Sequence, residues 1–117
     1  VGDNRMEITT RTIQTRVDII YIQGRLEAFT VKQLREEQDQ LLGNDAKNFV
    51  VDLSQVEFMD SAGMSALVSL LKRARQVGGD VILVKPTEPA AYRILTLTRF
   101  DQVFAMVDSV DNAIQKL

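Results

Sequence analysis

The run Phe49-Val50-Val51-Asp52-Leu53, followed by residues 54–58 and then Met59-Asp60-Ser61-Ala62-Gly63-Met64, decides the fold. Val50, Val51 and Leu53 form the short apolar stretch expected of a strand covered on both faces. From Met64 the period changes. Met64, Leu67, Val68, Leu71, Ala74 and Val77 recur at helical spacing, with Ser65, Ser69, Lys72, Arg73 and Gln76 on the opposite face. The reading is a buried strand, a loop over residues 54–58, and a tight turn into an amphipathic helix.

The turn carries the chemistry. Asp60 and Ser61 are both good helix caps. A cap at Asp60 puts Met59 and Met64 at the spacing of a hydrophobic staple and leaves Ser61 at the first helical position. A hydroxyl there stands at the positive end of the helix, where a phosphate is tolerated. The plainer reading makes Asp60-Ser61 only a cap, Gly63 only a close-packing position, and Met59 and Met64 only the staple.

Outward from this centre, residues 6–15 read as a polar edge strand and residues 17–23 as a richer strand, joined as an antiparallel hairpin. Residues 24–30 read as a connection to a helix. There Thr30 and Gln33 have capping-box spacing, Phe29 and Leu34 have staple spacing, and Gly43-Asn44 is the stop. After the central helix, Gly78-Gly79-Asp80 turns the chain into a buried strand, Val81-Ile82-Leu83-Val84, which Pro86 ends. Pro89 opens another helix with Ala91, Ile94 and Leu95 inward. Residues 103–107 read as a last strand, and Asp108-Ser109 as the cap of a final helix. Strands separated by helices are crossover units, which require parallel pairing. The expected architecture is one α/β domain over residues 1–117, a small mixed sheet of four to five strands carrying about four helices.

Composition narrows the function. The 117-residue chain is 45% hydrophobic and 26% charged, with a net charge of −2, which suits a globular domain and offers no basic field for nucleic acid. The Lys72-Arg73-Arg75 cluster reads as a solvated helix face. No stretch suits a membrane helix and the N-terminal residues lack a secretory pattern, so a cytoplasmic location is expected. Cys and His are both absent. That excludes thiol chemistry, a Ser-His-Asp triad and imidazole metal ligation, so no enzyme, metal site or cofactor is expected.

Val50-Val51-Asp52-Leu53, Val56, Phe58-Met59-Asp60-Ser61-Ala62-Gly63-Met64 and the helix after them resemble the signature of the STAS family, whose bacterial single-domain members are anti-sigma factor antagonists. The element order of nearly the whole chain agrees. The resemblance implies a phosphorylation-switched interaction module that binds an anti-sigma factor serine kinase and releases it when the motif serine, here Ser61, is phosphorylated. A phosphatase would reverse the change. It further implies a partner surface of Glu27, Thr30, Met59, Asp60, Ala62, Gly63 and Met64 around Ser61. Glu27 stands where many antagonists carry Asp, and Arg99 where a small residue or Gly often precedes the last strand. A monomer or weak homodimer is expected.

Two other classes compete. STAS-like domains also serve as accessory or scaffold subunits of lipid or anion transporters and of sensory assemblies, in which Ser61 would not be a switch. The turn could also bind a nucleotide phosphate unmodified, although it lacks a Gly-rich loop or adjacent Lys. A receiver-type domain phosphorylated on Asp52 is disfavoured, because no acidic pair follows an early strand to hold Mg²⁺.

Overall fold

The computed structural model describes residues 16–117. Four strands, β1 (Asp18–Leu26), β2 (Asn48–Met59), β3 (Asp80–Val84) and β4 (Ala105–Val107), lie in the order β1-β2-β3-β4, and every pair is parallel. The connections are α1 (Val31–Gly43), α2 (Ser61–Gln76), α3 (Pro89–Leu97) and the short α4 (Phe100–Val103), and α5 (Val110–Lys116) ends the chain. This is the α/β architecture read from the sequence, with five helices. The edge strand at residues 6–15 and its antiparallel hairpin lie outside the described residues.

Alternation along β2 sorts the core into two layers. Phe49, Val51 and Leu53 face one cluster with Leu34 of α1, Leu67 and Leu70 of α2, Leu95 of α3 and Phe100 of α4. Val50 faces the other, with Ile82, Val84, Val107 and Ala113 of α5. Each crossover helix thus adds its inner residues to one side of the sheet, and α5 covers the other. Buried Gln38 on α1 donates to the Ala66 carbonyl of α2 at 3.4 Å and ties the two helices together.

Several expectations are corrected. Residues 54–58 are not a loop, for β2 runs unbroken to Met59, and residues 24–26 belong to β1 rather than to a connection. The two strands pair to the end, Arg25 opposite Phe58 and Leu26 opposite Met59, through irregularities between Tyr21 and Gln23 and between Gly24 and Arg25. β3 stops pairing at Asp52, so the rest of β1 and β2 continues as a two-stranded arm, packed on the main core through Leu26, Val56 and Met59. Gly24, at φ +94°, takes a conformation in the arm that other residues rarely adopt.

The Thr30 capping box and the Phe29 staple also do not form. Thr30 makes no side-chain cap bond, and Phe29 is 93% exposed. Finally, the last strand is only Ala105–Val107, because residues 100–103 wind into a helical turn that stacks Phe100 on Phe104 at 5.3 Å. Arg99 enters that turn in the left-handed region, φ 62° and ψ 30°, where the resemblance leads one to expect a small residue or Gly.

Strand order without reversal leaves no topological switch point among the described residues, unlike the receiver-type order. No described helix is long and apolar enough to cross a membrane.

Candidate functional site

The arm of β1 and β2 ends where α2 begins. Asp60 is extended, at φ −118° and ψ −175°, and its Oδ1 accepts the Gly63 N–H at 3.0 Å. It caps α2 as the sequence suggested, and Ser61 is the first helical residue, exposed to solvent. The second oxygen does something the sequence did not reveal. Asp60 Oδ2 accepts the Ala28 N–H at 3.0 Å, so one carboxylate caps the helix and latches the loop after β1. These bonds, the Gly63 N–H foremost and then that of Ala28, hold the Asp60 carboxyl below its ordinary value of 3.8, against the opposing effect of burial.

Gly63 explains how the helix comes so close. A Cβ there would lie 2.4 Å from the Leu26 carbonyl oxygen and 2.7 Å from Leu26 Cγ, so only glycine allows this approach to the end of β1. Met59 is 1% exposed, and both it and part-buried Met64 pack on the main core cluster. Met59 and Gly63 therefore support the turn from beneath and present no side chain to a partner. The resemblance implies both as partner contacts, and in the fold they lie beneath the surface of the turn. Ala62 is part-buried beside Ser61 and keeps the approach to the hydroxyl small.

Across the latch, residues 27–30 form a bonded turn. The Glu27 carbonyl accepts the N–H groups of Thr30 and Val31 at 3.0 and 2.8 Å. The Thr30 hydroxyl donates to the Arg25 carbonyl at 2.7 Å and accepts the Glu27 N–H at 3.1 Å. This hydroxyl is committed to the turn's own backbone, which is why it caps nothing. Glu27 Oε2 accepts from both Arg25 Nε and Nη2 at 3.0 Å, and the guanidinium lies 4.4 Å from the centre of the Phe58 ring. The acid read as a partner contact thus already holds an arginine in place.

The structure therefore brings Glu27, Thr30, Asp60, Ala62 and Ser61 to one end of the arm. It adds Ala28, which sequence reasoning passed over because a hydrogen bond between positions far apart in the chain leaves no local signal, and Phe29, which reads as a staple in the sequence and is exposed instead. Of the basic residues on α2, Arg73 pairs with Asp39 and Arg75 with Asp80. No group of three or more acidic residues that could hold a metal is found among the described residues.

The family model for the STAS domain matches residues 9–113. A relative from Thermotoga neapolitana, described as a candidate anti-sigma factor antagonist, is 30% identical over 79 residues, covering 68% of this chain and 69% of its own. An anti-sigma F factor antagonist from Paenibacillus polymyxa is 25% identical over 100 residues, with 85% of each covered. The crystal structure of a candidate anti-sigma factor antagonist from Thermotoga maritima superposes with a TM-score of 0.78 at 26% identity, covering 86% of each chain. By the extent of the family match and the likeness of these relatives, the chain belongs to the STAS domain family.

Proposed function

We propose that this protein is an anti-sigma factor antagonist whose binding is switched at Ser61. The observation that carries the reading is a division of labour at the turn. Asp60 does the capping, so Ser61, exposed at the first position of α2, has a hydroxyl free for modification. Unmodified protein binds an anti-sigma factor serine kinase in the cytoplasm, that kinase phosphorylates Ser61, and a phosphatase restores the binding form.

The expected mechanism is exclusion at the interface. A phosphate adds about −1.5 to −2 charges. The helix N-terminus favours negative charge, so the fold tolerates the addition. A partner closing over the same point would bury an uncompensated charge at a cost of about 2–5 kcal/mol. The lower figure already corresponds to about 30-fold in affinity. Catalysis has no part in this scheme, and Ser61 is an acceptor.

The test is Ser61→Asp beside Ser61→Ala, with thermal unfolding and anti-sigma factor binding measured together. The reading predicts that Ser61→Asp retains its melting temperature and loses binding, whereas Ser61→Ala retains both. A Ser61→Asp protein that unfolds, or that binds like wild type, would refute it.

A further inference from the structure

Phe29 sits where staple spacing would pack it against Leu34, yet it is 93% exposed. The cause is local. The Thr30 hydroxyl is drawn back to the Arg25 carbonyl and the Glu27 N–H, and the chain enters α1 with the ring turned outward. The turn itself is held by these bonds, by the two N–H groups on the Glu27 carbonyl, and by the Ala28 latch to Asp60. A ring displayed on a bonded backbone loses little freedom when it is covered, and such aromatic groups dominate binding energy at interfaces.

Its position selects what covers it. Phe29 and Ser61 are the chain neighbours of the two residues joined by the Ala28–Asp60 bond, so a surface that closes on one adjoins the other. A second copy of the chain is a poor occupant. One ring buries roughly 150–250 Å², far below the ~1,200 Å² or more of a stable interface. A kinase reaching for Ser61 already brings the remaining area.

We propose that Phe29 is an anchor residue of the surface that reads Ser61, inserting its ring into an apolar pocket of the serine kinase and so determining which kinase docks. The proposal rests on the Ser61 reading above. It makes residues 27–30 the recognition half of the site and the α2 turn the modified half.

The probe is the kinase fraction purified from native cells by its ability to phosphorylate this chain. Steady-state phosphorylation is compared for wild type, Phe29→Ala and Phe29→Leu, with melting temperatures measured alongside. An anchor predicts that Phe29→Ala raises KM by at least about tenfold, leaves kcat and the melting temperature unchanged, and is partly rescued by Phe29→Leu. An unchanged KM, or a loss confined to kcat, overturns the anchor while leaving the Ser61 switch intact. If no fraction phosphorylates the wild type, the switch falls and the anchor falls with it.

Discussion

Asp60 holds Ala28. Its Oδ2 accepts the Ala28 N–H at 3.0 Å while Oδ1 accepts that of Gly63, so one carboxylate fixes the start of α2 and the loop after β1 in a single unit. The exposed Ser61 and Phe29 flank this bond, and their spacing depends on it.

Asp60→Asn separates the two duties. An amide has one acceptor oxygen, enough to cap Gly63 but not to hold Ala28 as well. Amide hydrogen exchange in Asp60→Asn should retain protection at Gly63 and lose it at Ala28, whereas Asp60→Ala should lose both and lower the melting temperature. Unchanged protection at Ala28 in both variants would show that the latch is not formed in solution.

The same carboxylate gives stability a dependence on pH. Its folded-state pKa lies below the ordinary value of 3.8, so the unfolded chain takes up the proton first. The contribution is complete above that ordinary value and is lost as pH falls through the depressed folded value. Denaturant midpoints followed from about pH 6 into the acid range should therefore fall more steeply for wild type than for Asp60→Asn. Identical slopes would contradict the account.

Gly63→Ala tests the close approach to Leu26. The Leu26 carbonyl cannot retreat as a flexible side chain would, and a Cβ would lie 2.4 Å from it. Overpacking of this kind should cost about 1–3 kcal/mol despite alanine's better helix propensity. Gly43→Ala is the control. It has open space around the added methyl, and should be neutral or stabilising by up to about 1 kcal/mol in denaturant titrations.

Arg99→Gly should raise stability by about 0.5–1 kcal/mol, because Arg99 holds the left-handed backbone at the entry to the Phe100 turn. The gain is smaller than the full steric relief, since glycine also loosens the unfolded chain. A lower melting temperature for the variant would mean that the arginine side chain makes a compensating contact.

Much of this molecule was legible from periodicity and capping chemistry. The change from Val50-Val51 to the helical spacing after Met64 located the central strand and helix, and Asp60 caps α2 as its position in the turn implied. What escaped depended on distant partners. Ser54, Gln55 and Glu57 look like loop residues, yet they extend β2, because the matching end of β1 supplies a ladder. Thr30 and Phe29 have the spacing of a capping box and staple, but the Arg25 carbonyl competes for the hydroxyl and wins. The Ala28 latch involves a backbone N–H, which every residue but proline carries, so no residue type could announce it.

The central claim is that Ser61 carries a reversible phosphate. The most direct measurement is intact-mass and peptide mass spectrometry of the protein isolated from its own cells under two growth conditions. The account predicts a phosphate on Ser61 whose occupancy differs between the conditions. A Ser61 that is unmodified in both would contradict it, leaving the STAS fold in place and favouring a constitutive scaffold.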